Sequence, residues 1–245
     1  MRFYVSPDSI FPEKNLIEIK DRDEIHHARD VMRLEKGAVI SVFDGQGREF
    51  SGLIDRIDKD GIVMTIKETT VFREVPSLSV TLYQALPKKT KMDFIVEKAV
   101  ELGADRIVPM ITDRTVPDIR DKGGKKTERW MRIGVAASKQ CGRVKLPSVS
   151  DVMNFKEALI DARGKDLTVF ACLDEAARPL KEILTDSKPK AMAIFIGPEG
   201  DFSPAETGMA RKSGCEICSL GQLVLRVETA AIYLLSAVKY QYTHP

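Results

Sequence analysis

The chain has 245 residues, 43% of them apolar, and a formal net charge of only +2. That length suits one large domain or two unequal ones with a well-filled core, and excludes a disordered, collagenous or disulfide-stapled chain. The N-terminal stretch "MRFYVSPDSIFPEK" shows no apolar targeting core, and no run of about 18 apolar residues is long enough to cross a bilayer, so a cytosolic protein with no membrane partner is expected.

The first 70 residues read as short strands and turns. "DEIHHARDVMRLEKG" is predicted to be a helix closed by Gly37. "VISVFD" and "EFSGLIDRI" flank "GQG" as a hairpin, and "DKDG" turns into a third strand, "IVMTIKET". The pattern changes near "VFREVPS", where Pro76 marks a linker.

From Leu78 onward strands and helices alternate. "LSVTLYQAL", "DRIVPMI", "DLTVFACL", "AMAIFI" and "EICSL" are predicted strands. "TKMDFIVEKAVELG" is a helix with Met92, Ile95, Ala99 and Leu102 on one stripe and Gly103 beyond its end. "ERWMRIGVAASKQCG", "NFKEALIDA", "PAETGMARKSG" and "ETAAIYLLSAVKYQY" supply further helices. Such alternation implies an α/β domain with a parallel sheet and helices on both faces.

Charge is unevenly spread. Arg120 to Lys145 holds nine Lys and Arg against two Asp and Glu, a local +7, which leaves −5 for the rest. A basic island of this kind suits a polyanion touched at one place, while "PDIRDKGGKKT" also has the composition of a solvated loop.

Two stretches carry the chemistry. In "IFIGPEGDFSPAE", Ser203 and Glu206 form a capping box with Pro204 at the first helical position, so Gly197 to Phe202 is a true loop at the carboxyl end of a strand. Ligands of open α/β sheets bind at that edge. Glu199 and Asp201 suit a ligand with a positive centre, and neither phosphate-binding glycine motif occurs in the chain. In "LGQLVLRVETA", Gly221 opens a turn, and Arg226, Glu228 and Thr229 are the polar groups at the mouth of an apolar helix, either as a structural ion pair or as part of a site. Cys215 and Cys218 form a C-x-x-C without a second pair, so no metal site is expected and Cys218 is read as a buried hydrophobe.

Five blocks, "HHARDVMRLEKGAVISVFDGQGREF", "QALPKKTKMDFIVEKAVELGADRIVPMIT", "SKQCGRVKLP", "FIGPEGDFSPAE" and "LGQLVLRVETA", follow in the order and spacing of the RsmE family, which this chain resembles. These are small-subunit rRNA methyltransferases of the SPOUT superfamily, and the resemblance covers nearly the whole chain. It implies a PUA-like RNA-binding β-barrel over residues 1–72 and a SPOUT domain over 73–245, with a deep trefoil knot in about 165–245. It further implies a homodimer, S-adenosylmethionine as cofactor, and methylation of uridine N3 near the decoding region of 16S rRNA on the small ribosomal subunit.

The resemblance places the cofactor on the backbone of Ile196, Gly197, Pro198, Glu199 and Gly200 and of Leu220, Gly221 and Gln222. Leu225, Arg226, Thr229 and Ala230 would close the pocket, bordered by Leu86 and Pro87. Arg226 is then expected to stabilise charge on a uracil carbonyl oxygen, with Glu228 orienting Arg226 or accepting the proton. His26, His27, Arg29 and Arg33 of the first module, and Lys125, Lys126, Gln140 and Arg143 of the basic segment, are the candidates for RNA contact. Three positions depart from the family pattern: Asp201 replaces a glycine, Lys139 replaces an acid, and Leu223 replaces an arginine. The alternatives are a SPOUT methyltransferase acting on tRNA or another rRNA site, and a non-catalytic ribosome assembly factor.

Overall fold

The computed structural model describes residues 1–72, 78–88, 90–116 and 123–242. The chain falls into two units: residues 1–75 with 138–146, and residues 76–137 with 147–245. Pro76, Arg120 and Lys122 lie outside the described residues.

The first unit contains β1 (Arg2–Tyr4), β2 (Ile10–Phe11), β3 (Leu16–Ile19), α1 (Arg22–His26), β4 (Val39–Phe43), β5 (Arg48–Ile57) and β6 (Ile62–Val71). Its strands form one sheet in the order β1-β4-β5-β6-β3-β2. β4 pairs antiparallel with β5, and β5 with β6, as the hairpin signals predict. Gly45 and Gly47, at φ of +73° and +101°, give the first hairpin its turn. Phe3, Ile17, Val42, Phe50 and Met64 fill the core.

The predicted helix over residues 23–37 is shorter than its composition suggests. The Asp21 side chain accepts from the backbone N–H groups of Asp23 and Glu24, which starts α1. One wide turn over residues 27–31 follows, closed by Met32 N–H donating to the His27 carbonyl at 2.9 Å. Arg33 then adopts a left-handed φ of +52°, which no right-handed helix accommodates. Gly37 therefore sits beyond the helix, where its N–H donates to the Ile54 carbonyl at 2.7 Å.

The second unit contains β7 (Ser79–Ala85), α2 (Lys91–Glu101), β8 (Arg106–Ile111), α3 (Gly123–Cys141), β9 (Ser148–Val149), β10 (Met153–Asn154) and α4 (Phe155–Asp161). It continues with β11 (Leu167–Ala171), β12 (Arg178–Pro179), α5 (Leu180–Thr185), β13 (Ala191–Ile196), α6 (Pro204–Lys212), β14 (Glu216–Ser219) and α7 (Val227–Tyr242). α3 begins at Gly123, so the part of the expected loop that is described is helical, and Lys125 and Lys126 stand in its first turn. Beyond Ala137 the end of α3 belongs to the first unit.

The sheet runs β10-β8-β7-β13-β11-β14-β12, with β9 alongside β8, and among the described residues its strand pairs are parallel. Side chains along β13 divide with period two. Met192, Ile194 and Ile196 face a core with residues of α2, α3, α5 and α7, whereas Ala193 and Phe195 face one with residues of α4 and α6. Burial on both faces explains why the inner strands are continuous apolar runs. Tyr83 and Phe195 stack at 4.4 Å on the second face, and Tyr83 donates to Asp161 at 2.6 Å.

Strand order departs from chain order in the C-terminal half. β13 lies between β7 and β11, and β14 lies between β11 and β12. The register ends the three neighbours flush, with Ala171 opposite both Ile196 and Cys218. The loops that leave them therefore emerge at one edge of the sheet.

Candidate active site

Those three loops line a cavity of about 980 Å³. Ile196, Gly197, Pro198 and Glu199 come from the loop after β13, and Leu220, Gly221, Gln222, Leu225 and Arg226 from the loop after β14. Ala230 closes it from the first turn of α7. Sequence reasoning thus named residues that the fold brings together. It missed the third wall, Cys172 to Glu175 after β11, and it missed Lys91 at the start of α2.

Local chemistry sets each loop. The Ser203 capping box fixes the start of α6, with Glu206 accepting the Ser203 N–H at 2.8 Å. A Cβ at Gly197 would stand 3.1 Å from the Phe202 ring, tighter than side chains normally pack. Asp201 adopts a φ of +59°, a conformation that glycine reaches most cheaply and that aspartate tolerates. Its carboxylate also accepts the Leu173 N–H at 2.8 Å and so joins the loop after β13 to the loop after β11. Gly221 stands at φ +116°, with nothing near the place a Cβ would occupy, so backbone conformation rather than crowding calls for glycine there.

Other expected residues stand elsewhere. Leu86 and Pro87 are buried at the end of β7, and Leu86 belongs to the hydrophobic core. Gly200 faces a neighbouring hollow of about 500 Å³, and its carbonyl accepts from Arg114 at 2.7 Å. Thr229 is exposed on α7. Leu223 is 79% exposed on the cavity rim.

Arg226 is exposed at the cavity, and its carbonyl accepts the Ala230 N–H at 2.8 Å, which begins α7. Glu228 reaches Lys91 rather than Arg226: Nζ lies 3.1 Å from Glu228 Oε2, near enough for an ion pair and off the line of a hydrogen bond. Burial works to raise the Glu228 carboxyl, yet its own backbone N–H, the Lys91 ammonium and the Arg226 charge hold it below the usual range. Lys91 also lies 3.6 Å from Glu199, whose carboxylate accepts the Lys88 N–H at 3.0 Å.

The residues present fit the cofactor that the resemblance implies. Ile196, Leu220, Leu225, Val227 and Ala230 offer apolar walls for a flat ring, the glycine loops offer bare backbone, and Glu199 offers charge for a cationic centre. Burial pushes the Cys172 thiol, with Asp201 and Asp174 adding to the effect, up to about 12, and burial pushes Cys218 up to about 12 as well, so both stay protonated. Among the described residues no cluster of His, Cys, Asp and Glu converges as a metal set.

The candidates for RNA contact fall in both units. In the first, His26 and Arg33 are exposed, His27 packs against the Phe3 ring, and Arg29 is held by Asp30 at 2.7 and 2.9 Å. Gln140 is exposed, and Arg143 donates to the Lys145 carbonyl at 2.7 Å. Lys139 donates to both carboxylate oxygens of buried Glu24, at 2.8 and 2.7 Å. In the second unit, Lys125 is exposed and Lys126 half-buried on α3.

Residues 73–239 match the family described as RNA methyltransferase domain, and residues 19–67 match the RNA methyltransferase PUA domain. A ribosomal RNA small subunit methyltransferase E from Bacillus subtilis is 34% identical over 227 residues, 89% of this chain and 88% of that protein. A methyltransferase from Legionella pneumophila, solved in complex with S-adenosylmethionine, superposes with a TM-score of 0.86 at 31% identity, covering 98% of this chain and 96% of that one. The ribosomal RNA small subunit methyltransferase E of Neisseria gonorrhoeae, bound to the same cofactor, gives 0.85 at 27% identity, covering 98% and 97%. A chain that carries both domains in this order, and that shares a third of its residues with such a relative along most of its length, belongs to the ribosomal RNA small subunit methyltransferase E family.

Proposed function

We propose that this protein methylates N3 of a uridine in the decoding region of 16S rRNA, on the small ribosomal subunit, as a homodimer in the cytoplasm. The observation that carries the reading is the meeting of the Ile196–Glu199 and Leu220–Arg226 loops at one cavity, beside the cation of Arg226. S-adenosylmethionine supplies a methyl group activated by a sulfonium, and relatives crystallised with it support its place here. The interleaving of β13 and β14 with earlier strands supports a threaded chain within residues 165–245.

Uracil N3 carries a proton and becomes a good nucleophile only as that proton leaves. Arg226 faces a carbonyl oxygen of the base and stabilises the charge that grows there. Glu228, kept ionised, is the acceptor available for the proton. Apolar walls exclude water from the reacting atoms, and most of the acceleration comes from positioning. The phosphate contacts come from His26, His27, Arg33, Gln140 and Arg143 in the first unit and from Lys125 and Lys126 in the second.

Labelled methyl transfer to small subunits, to naked 16S rRNA and to tRNA tests the reading. Transfer to the subunit, or to 16S rRNA, is expected. Transfer to tRNA alone selects the other methyltransferase reading. Leu223 favours the assembly-factor reading, because an exposed apolar side chain stands on the cavity rim in place of the arginine that the resemblance leads one to expect; absence of S-adenosylmethionine binding in calorimetry selects it.

A further inference from the structure

The hollow of about 500 Å³ adjoins the cavity, and Leu173, Asp174 and Asp201 line both. That volume lies within the range of clefts that hold small molecules, about 300–1,000 Å³. Phe202, Pro204 and the exposed Leu173 supply apolar walls, and Arg114 and Arg211 supply cations. Three of its four charged groups are committed within the chain. Asp174 pairs with Arg211 at 2.8 Å and accepts the Ala176 N–H at 2.8 Å, and Asp201 accepts the Leu173 N–H at 2.8 Å. Arg114 is exposed and makes no ion pair among the described residues. Its one hydrogen bond among them goes to the Gly200 carbonyl at 2.7 Å, which holds the side chain at the hollow and leaves other N–H groups to donate.

Gly208, inside α6, also lines the hollow. Glycine destabilises a helix interior relative to alanine. Its φ is not left-handed, and nothing lies within 4 Å of the place a Cβ would occupy, so neither backbone conformation nor packing within the chain calls for glycine here. Its effect is to leave bare backbone at the hollow, where a flat ring can lie.

We infer that this hollow receives the base of a nucleotide next to the methylated one in the RNA substrate, with the ring over Gly208 and an acceptor edge on Arg114. The inference rests on the reading of the adjoining cavity as the site of methyl transfer. A strand whose acceptor base enters the cavity continues past the wall that the hollow shares with it. Unpaired RNA bases are held in this way, with contact on the ring face and hydrogen bonds on the ring edge. Because Asp174 and Asp201 balance the two arginines, the hollow suits a neutral ring with carbonyl oxygens better than a phosphate.

The test is equilibrium binding of the full-length protein to small ribosomal subunits that lack the modification, over a salt series. Gly208→Leu fills the hollow and should weaken binding by about tenfold or more, the scale of one base contact. Its unfolding temperature should hold or rise, because leucine suits a helix better than glycine, and S-adenosylmethionine should bind as it does to the wild type. Arg114→Gln, which can still donate to the Gly200 carbonyl, should weaken subunit binding by about threefold to tenfold. A fall of about 0.7 in its salt slope would mark a phosphate contact and overturn the base pocket. A ribosomal RNA fragment carrying the target uridine is read in parallel. An abasic residue on one side of that uridine should weaken wild-type binding and leave Gly208→Leu unaffected, since its hollow is already closed; equal losses in both proteins overturn the inference. Unchanged subunit binding by Gly208→Leu also overturns it, as does a matching loss of cofactor affinity. A change of oligomeric state with RNA binding intact overturns it too, and makes the hollow a contact between two copies of the chain. Binding is read without methyl transfer, so a wild type that binds subunits and transfers no methyl faults the proposed function alone.

Discussion

Leu173 donates its backbone N–H to Asp201 Oδ2 at 2.8 Å, and this bond joins two walls of the cavity. Asp201 adopts a φ of +59°, a conformation that glycine reaches most cheaply. The two roles separate by substitution. Asp201→Gly keeps the backbone and loses the clamp, so S-adenosylmethionine should bind about tenfold more weakly with unfolding little changed. Asp201→Ala should match it in binding and be less stable by about 1 kcal/mol, because a Cβ is strained at that φ. Calorimetry and thermal unfolding read the two effects.

Arg226→Ala should lower methyl transfer by about 10²–10³ in rate while cofactor affinity changes far less, since the arginine acts on charge that develops on the base. Single-turnover transfer to small subunits measures it. Near-normal turnover would remove Arg226 from the chemistry.

Gly221→Ala places a Cβ at φ +116°, and strain of about 1–3 kcal/mol is expected at that residue. Because the space beyond is open, the loop after β14 should shift rather than the core break. Cofactor affinity should fall more than the unfolding temperature, and titration alongside thermal melting checks the order.

The Glu24–Lys139 pair makes the first unit sensitive to pH. Burial raises the Glu24 carboxyl, and the hydrogen bond and charge of Lys139 oppose the rise. Lys139→Met should destabilise this unit by about 3–5 kcal/mol near neutrality, because a buried carboxylate loses its partner. The sign follows from linkage: a folded-state pKa above the unfolded value gives stability that is present at low pH and lost as pH rises through the folded pKa. Lys139→Met should therefore recover stability on acidification, and Glu24→Gln in that background should abolish the slope. Denaturant melts across the acid range measure both.

Lys125 and Lys126 stand in the first turn of α3. Their joint replacement by Ala should weaken RNA binding and flatten the slope of log affinity against log salt by about 0.7–0.9 for each phosphate that is no longer neutralised. Filter binding over a salt series gives the slope.

Much of this architecture was legible in local signals. Continuous apolar runs marked β7, β11 and β13, Gly103 marked the end of α2, and Ser203 with Glu206 marked the start of α6. Both glycine loops were found because a turn at a strand's carboxyl end is written in neighbouring residues. What depends on register was hidden. The wall at Cys172–Glu175 carries no glycine, and it reaches the cavity because Ala171 ends level with Ile196 and Cys218. Lys91 stands at the start of a predicted helix with no motif of its own, and only the fold brings Glu199 and Glu228 to it. The early end of the first helix rests on the φ of Arg33, which composition does not reveal, and α5 is too short for its periodicity to show.

The most direct test is to incubate the protein with small subunits lacking the modification and with labelled S-adenosylmethionine, then digest the rRNA to nucleosides and identify the labelled one by mass spectrometry. N3-methyluridine from the decoding region of 16S rRNA is the expected product. Label on another base, on the ribose, or on no nucleoside at all would contradict the assignment.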